Sequence, residues 1–167
     1  MGEEYAVWFM PSGNVEKKLR ENILTLSKEH KSYDFEPHVT LIAVKGVSEK
    51  HAIENTRKIS KSIEPFKVSL NNVDYTDRFY QCIFVRCKKT RELMKSNRTA
   101  QNIFDTNNSY MPHLSLMYGN FPPSLKEKII KKIGKKIDVV FEVDYIYLIR
   151  GESPNPKDWH IIKKFRL

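Results

Sequence analysis

The sequence predicts an α+β fold of two similar lobes that form one folding unit, residues 1–167. Predicted strands and helices follow one another in mixed order, and a strand with one distinctive pattern occurs once in each half of the chain. No linker or low-complexity stretch separates the halves. A chain of 167 residues, 40% of them hydrophobic, fits a single domain with its own core.

The first half of the chain begins with alternating strands and helices. The apolar stretches YAVWFM and HVTLIAV are typical of strands. Asn14 and Ser48 are placed to cap two helices whose apolar residues recur at helical spacing, and Pro65 follows the second helix. The predicted elements are a strand at 5–10, a helix at 15–29, a strand at 38–44, a helix at 48–63, and strands at 66–76 and 79–87.

The second half repeats the mixture of helices and strands. A helix is predicted before the polar loop DTNNS, and a strand, HLSLMYG, after it. Ser124 with Glu127 three residues later predicts a capping box at the start of a lysine-rich helix. Two closing strands flank the turn SPNP. The predicted elements are a helix at 90–104, a strand at 113–119, a helix at 124–136, and strands at 139–151 and 159–167.

Composition and charge limit the functional classes. The net charge of +9 favours an anionic partner, although the lysine-rich helix is more typical of a solvated face than of a binding surface.

Cys82 and Cys87 lie five residues apart, on opposite faces of a strand, which argues against a disulfide or a zinc site. We therefore expect a reduced, cytoplasmic protein. No apolar run approaches the roughly 20 residues of a membrane helix, and the N-terminus does not resemble a signal peptide.

One seven-residue pattern occurs twice, as FEPHVTL around His38 and as YMPHLSL around His113. Side chains alternate along a strand, so His38 shares a face with Thr40, and His113 shares a face with Ser115. The apolar residues between and after them point into a core. Each copy therefore presents an imidazole beside a hydroxyl group.

Two such strands, related by a pseudo-twofold axis, place two imidazoles and two hydroxyl groups around one point. Hydroxyl groups can donate to the oxygens of a phosphate. One neutral imidazole can accept a proton from water while the other, protonated, donates to a leaving oxygen. This chemistry requires no metal or cofactor. A single His-x-Thr is usually only a strand with a polar face, so the prediction depends on the duplication of the pattern.

The chain resembles the two-histidine phosphoesterase superfamily, whose mark is a pair of His-x-Thr/Ser motifs. The motifs stand here as His38–Val39–Thr40 and His113–Leu114–Ser115. The resemblance extends to the cyclic phosphodiesterases of fungal and plant tRNA splicing and to LigT-like proteins, with YAVWFMP, FYQCIFV and a late tryptophan in the expected order. It implies two pseudo-symmetric lobes, each a small antiparallel sheet flanked by helices, with the active cleft between them.

The resemblance also implies roles for particular residues. His38 and His113 would be the acid–base pair, Thr40 and Ser115 would bind the phosphate, and Tyr118 would help to place substrate or water. We assign His113 as the base and His38 as the acid, although the near-symmetry of the motifs leaves the reverse order open.

Aromatic side chains are candidates for binding the base of a nucleotide, because stacking accepts any base. Trp8, Tyr80 and Trp159 are the candidates in this chain. Trp8 lies on a strand whose other face is core, so burial of its ring in the core is an equally good interpretation.

Three functions remain as alternatives. The first is hydrolysis of a nucleoside 2′,3′-cyclic phosphate or of ADP-ribose 1″,2″-cyclic phosphate. The second is cleavage of a 2′–5′ linkage in a signalling nucleotide such as a 2′–5′ oligoadenylate or a cyclic dinucleotide. The third is a non-catalytic module that binds RNA through its basic surface. The expected partners are nucleotide or oligonucleotide substrates, including RNA ends, and we expect a monomer.

Overall fold

The computed structural model describes residues 4–151 and 153–167, so residues 1–3 and 152 of the predicted domain lie outside it. The described residues form eight strands and four α-helices, which confirms the predicted α+β class. The strands are β1 Glu4–Phe9, β2 Val39–Lys45, β3 Phe66–Tyr75, β4 Ile83–Cys87, β5 His113–Met117, β6 Lys136–Val143, β7 Tyr145–Gly151 and β8 Trp159–Arg166. The helices are α1 Gly13–His30, α2 Glu49–Ser62, α3 Arg91–Phe104 and α4 Pro123–Ile133.

The strands form one antiparallel sheet in two halves. Their order is β6-β3-β4-β5-β2-β1-β7-β8, and every neighbouring pair is antiparallel. Between β2 and β5, the two strands that carry the twinned motif, the paired residues are Val39 and Leu114. Four strands lie on each side of this junction, which agrees with two small antiparallel sheets that meet at the motif strands.

The helices cover one face of the sheet, and the core lies beneath them. Alternate strand residues such as Val7, Val39 and Leu114 are buried in this core. A bulge in the β1–β2 pairing follows Val7, and the amide of Asn97 in α3 donates to the Leu41 carbonyl there, at 2.9 Å. The strand residues between the core positions point to the opposite face, which we call the open face.

Two predicted helix starts are wrong and one is confirmed. The Ser48 hydroxyl accepts a hydrogen bond from the His51 amide, as expected of an N-cap. The N-cap of α1 is Ser12 rather than Asn14. The N-cap of α4 is Pro122, so Ser124 lies inside the first turn and the predicted capping box does not form. Proline residues fix φ near its helical value and can start a helix without a side-chain cap.

Two predicted strands have different boundaries in the structure. The segment predicted as a strand at 79–87 begins with a 3₁₀ turn, Phe79–Gln81, and becomes a strand only at Ile83. The apolar run at 139–151 is two strands that meet at Asp144. Its first part pairs with β3 in one half of the sheet and its second part with β1 in the other. Local periodicity does not reveal this division, because each strand finds its partner far away in the sequence.

Cys82 and Cys87 are free and buried. Only Cys87 lies in a strand, because Cys82 follows the 3₁₀ turn, so the predicted placement of the two on opposite faces of one strand is wrong. Burial raises the pKa of the Cys87 thiol to about 12, which keeps it protonated. No helix within the two described stretches of chain is long and apolar enough to cross a membrane.

Candidate active site

The register of β2 and β5 brings the four polar residues of the twinned motif together. Val39 pairs with Leu114, and both side chains point into the core. One residue to either side of this pair, the antiparallel register sets His38 opposite Ser115 and Thr40 opposite His113. All four side chains therefore lie on the open face, around the junction of the two halves. This is the arrangement that the duplicated pattern predicts.

The two histidine rings are held in the same way. Nδ1 of His38 lies 2.7 Å from the Glu36 carbonyl oxygen, and Nδ1 of His113 lies 2.8 Å from that of Met111. A carbonyl oxygen only accepts, so each Nδ1 carries a proton and donates. In the neutral ring this leaves a lone pair on Nε2. Both rings therefore have the tautomer in which Nε2 can act as a base.

Burial lowers the pKa of both histidines. The pKa of His38 is lowered to about 4, chiefly by desolvation and also by the nearby His113, while the hydrogen bond to the Glu36 carbonyl acts in the opposite direction. Desolvation also lowers the pKa of His113, with a contribution from the charge of Arg86. Burial therefore favours the neutral form of both imidazoles. The repulsion between the two rings disfavours a state in which both are protonated.

The two hydroxyl groups have different surroundings. The Ser115 hydroxyl donates to the Tyr80 carbonyl oxygen at 2.6 Å and also shares a hydrogen bond with the Tyr118 phenol. A phosphate oxygen would compete with the Tyr80 carbonyl for this proton. Thr40 is half-buried, and its carbonyl oxygen accepts a hydrogen bond from the Tyr110 hydroxyl at 3.0 Å.

Trp8 is buried and also forms part of the site. Its ring stacks on the imidazole of His38, with centroids 3.6 Å apart and planes within 11°. Only 7% of Trp8 is exposed. Trp159 meets Trp8 edge-on at 5.7 Å and lies 6.3 Å from His38. Trp8 is therefore buried but lies outside the main hydrophobic core cluster. Its ring packs against a candidate catalytic residue and shields His38 from water.

The other two aromatic candidates differ in exposure. Tyr118 is 2% exposed and stacks on Phe35 at 3.8 Å. Tyr80 is 41% exposed, its ring meets Tyr118 edge-on at 5.2 Å, and its hydroxyl donates to the Pro154 carbonyl oxygen. The half-buried Trp159 lies 6.0 Å from each of them. The structure thus gathers all four aromatic candidates into one cluster beside His38, and Tyr80 and Trp159 are the two that offer ring surface to a ligand.

Arg86 is a charged neighbour of the site that the sequence reasoning missed. It is the cross-strand partner of His113, so both side chains lie on the open face. Its guanidinium donates through Nε to Asp74 at 2.8 Å and lies 5.5 Å from the ring centroid of Phe84. Only the register of β4 against β5 reveals this neighbour, because the sequence separates it widely from His113.

Lys126 is a second residue whose role the sequence did not reveal. It belongs to the lysine-rich helix interpreted as a solvated face, yet only 1% of it is exposed. Its ammonium group donates to the Thr76 carbonyl oxygen at 2.9 Å and to Asp77 at 2.8 Å. These bonds fix the loop that leads into the 3₁₀ turn carrying Tyr80. Lys126 therefore supports one wall of the site from behind.

Within the described residues, no group of three or more His, Cys, Asp or Glu side chains is arranged to hold a metal ion. The polar groups at the junction are two imidazoles and two hydroxyl groups, with one guanidinium beside them. Such a set can bind an oxyanion and transfer protons on either side of it.

Comparisons with known proteins agree with this arrangement. The family model described as cyclic phosphodiesterase-like protein matches residues 1–167. The chain belongs to this family. The predicted membership of the two-histidine phosphoesterases is thereby confirmed, and the protein is a phosphodiester hydrolase. A cyclic phosphodiesterase of Arabidopsis thaliana is 26% identical over 130 residues, which cover 77% of this chain and 72% of the relative.

Two solved structures share the fold of this cyclic phosphodiesterase-like protein. The protein TT0787 of Thermus thermophilus has a TM-score of 0.74 and 14% identity, over 98% of this chain and 97% of that one. LigT of E. coli, in a crystal structure with 3′-AMP, has a TM-score of 0.68 and 13% identity, over 100% of this chain and 99% of that one. At these identities the likeness concerns the fold, and it confirms the predicted LigT-like architecture.

Proposed function

We propose that the protein hydrolyses ribose cyclic phosphates, such as nucleoside 2′,3′-cyclic phosphates or ADP-ribose 1″,2″-cyclic phosphate, to monoesters without a metal ion. The observation that carries this proposal is the pair of imidazoles on either side of the Val39–Leu114 junction, each anchored through Nδ1 to a carbonyl oxygen. The cyclic phosphodiesterase of Arabidopsis and the 3′-AMP complex of LigT make a nucleotide the natural ligand to test.

In the proposed reaction, Thr40 and Ser115 donate hydrogen bonds to the non-bridging oxygens of the phosphate. Nε2 of His113 accepts a proton from water as the water oxygen bonds to phosphorus. The bond from phosphorus to one ribose oxygen breaks, and Nε2 of His38 donates a proton to that oxygen. Before the reaction Nε2 is protonated on His38 only, and after it Nε2 is protonated on His113 only. Proton exchange with solvent restores the starting state, and both Nδ1 protons stay in place throughout.

The acid role of His38 depends on the substrate. The pKa of His38 is about 4, so the ring is neutral before substrate binds. An anionic phosphodiester between the rings raises the pKa of a neighbouring imidazole, because it favours the charged form. The reverse assignment, with His38 as the base, needs no such shift at His38. The pH dependence of kcat/KM for variants of each histidine distinguishes the two orders.

A second candidate function uses the same site on a 2′–5′ linkage, with a neighbouring 3′-hydroxyl as the nucleophile. Its substrate would be a 2′–5′ oligoadenylate or a cyclic dinucleotide with one 2′–5′ bond. The same proton transfers apply, because a ribose oxygen again leaves phosphorus. The non-catalytic alternative, an RNA-binding module, has less in its favour because the imidazoles are oriented identically and share an open face.

The deciding experiment incubates the protein in EDTA with a panel of cyclic and 2′–5′-linked nucleotides and identifies the products. The proposed function predicts a monoester from the cyclic phosphates and little cleavage of 2′–5′ linkages. Release of a nucleotide from 2′–5′ substrates alone would favour the second candidate. Binding of RNA that survives loss of both histidines, without turnover of any substrate, would favour the third.

The cellular setting is part of the proposal. Two reduced, buried cysteines fit a cytoplasmic protein, and we propose that it acts there as a monomer with a single two-lobed domain, residues 1–167. Size-exclusion chromatography with light scattering tests the oligomeric state.

A further inference from the structure

A row of cross-strand partners leads from the candidate site across the open face to the edge of the sheet. Thr40 pairs with Trp8, Trp8 pairs with Tyr147, and Tyr147 pairs with Lys164. Cross-strand partners point to the same face, so the four side chains form one continuous row. The row crosses three strand spacings, about 14 Å in all. The row is therefore longer than a single nucleotide unit of an extended chain.

The outer end of the row combines aromatic rings with positive charge. Tyr145 and Tyr147 are half-buried and lie two residues apart on the open face. The ammonium group of Lys164 lies 3.8 Å from the ring centroid of Tyr145 and 5.5 Å from that of Tyr147. Arg166, which is exposed, pairs with Tyr145 and so faces the same side. Two rings and two cations are the chemistry that binds single-stranded nucleic acid, through stacking on bases and charge on phosphates.

On the other side of the candidate site, towards β4 and β3, the open face carries different side chains. Beyond Thr40 the row continues through His113 to its partner Arg86. In the neighbouring row Ser115 pairs with Phe84, which is fully buried, and Phe84 pairs with Asp74. The nearby cation, Arg86, is already paired with the Asp74 carboxylate. A carboxylate repels a polyanion, so an extended anionic ligand is favoured only towards β8.

We propose that Tyr145, Tyr147, Lys164 and Arg166 form a second nucleotide subsite, which makes the preferred substrate an oligoribonucleotide with a terminal cyclic phosphate. The inference rests on the proposed function for the position of the reacting phosphate. The terminal phosphate lies at the histidines, and the preceding nucleotide stacks towards the two tyrosines. Lys164 and Arg166 bind the phosphate that joins the nucleotides. The net charge of +9 on the whole protein also favours the binding of a polyanion.

The test compares the binding of a 3′-phosphorylated tetraribonucleotide with that of a 3′-phosphorylated mononucleotide, by competition with a fluorescent probe. Lys164→Gln removes a charge from the open face of β8. Lys163→Gln removes the same charge from the adjacent residue, which is exposed and points to the opposite face. Tyr147→Leu removes one stacking surface and keeps apolar bulk. Because the readout is binding, it does not depend on turnover.

We expect the wild-type protein to bind the tetranucleotide more tightly than the mononucleotide. Tyr147→Leu should reduce that preference by about 5- to 150-fold, the usual range for one stacked base. Lys164→Gln should reduce it too, and should lower the slope of log affinity against log salt by about 0.7, as expected for one lost phosphate contact. Lys163→Gln should have a much smaller effect on both the preference for the tetranucleotide and the salt slope.

Equal affinity for the two ligands, or equal effects of Lys163→Gln and Lys164→Gln, would overturn the inference. The proposed function would survive that result if 2′,3′-cyclic mononucleotides are hydrolysed. Conversely, a clear preference for the tetranucleotide that depends on Lys164, without turnover of any cyclic phosphate, would support the subsite and reject the proposed reaction.

Discussion

Acidification should destabilise the protein through His38. The unfolded chain binds a proton at this residue near its ordinary pKa of 6.5, whereas the folded protein binds it only near pH 4. Between these values the unfolded state holds more protons than the folded state, so the free energy of unfolding falls as the pH falls. The stabilisation is fully present above pH 6.5 and is lost by about pH 4.

The size of the effect follows from the shift. Each pKa unit corresponds to about 1.4 kcal/mol, so a pKa of about 4 makes the contribution of His38 roughly 3 kcal/mol. This is a large fraction of the 5–15 kcal/mol that is typical of a folded domain. The cause is burial under the stacked ring of Trp8, which removes water from the charged form of the imidazole.

The assay is urea denaturation at pH 7.5 and at pH 4.5, for the wild type and for His38→Asn. The asparagine amide can still donate to the Glu36 carbonyl oxygen, but it does not titrate in this range. His113 and the carboxylates titrate in both proteins. The difference between the two proteins in the free energy of unfolding lost from pH 7.5 to pH 4.5 is therefore due to His38. The wild type should lose roughly 2–3 kcal/mol more than the variant. Equal losses in the two proteins would refute the reasoning.

Three further predictions concern the surroundings of the site. Lys126→Met should raise KM for a cyclic nucleotide more than the surface control Lys128→Met does, because it frees the loop that carries Tyr80; equal KM values would contradict this role. Trp8→Leu should raise the pKa of His38 towards 6.5 in an NMR titration, because water reaches the ring; an unchanged pKa would show that Trp8 does not shield it. Cys87 should react with thiol reagents only as the protein unfolds, and rapid labelling of the folded protein would contradict its burial.

The sequence predicted the parts of the site that depend on local pattern. Alternation along a strand is local, so the shared face of His38 and Thr40, and that of His113 and Ser115, could be read directly. The duplication then indicated that the two strands act together. The predicted cap at Ser48 was also correct, since its hydroxyl bonds to a backbone amide three residues later.

The parts that sequence reasoning missed depend on contacts between distant segments. Arg86 is a neighbour of His113 only through the register of β4 and β5. Lys126 looks like its solvated neighbours, and its burial follows from the loop that packs over it. The division at Asp144 arises because two consecutive strands pair in different halves of the sheet. None of these features has a signal in the residues immediately around it.

The central claim is that two imidazoles from distant parts of the chain act on one phosphorus atom. The most direct measurement is the hydrolysis rate of a nucleoside 2′,3′-cyclic phosphate by His38→Ala and by His113→Ala, in EDTA, with circular dichroism to confirm that each variant is folded. Both single variants should lose at least about 10²- to 10⁴-fold in kcat, the usual contribution of a general acid or base. Near wild-type turnover by either folded variant would contradict the claim.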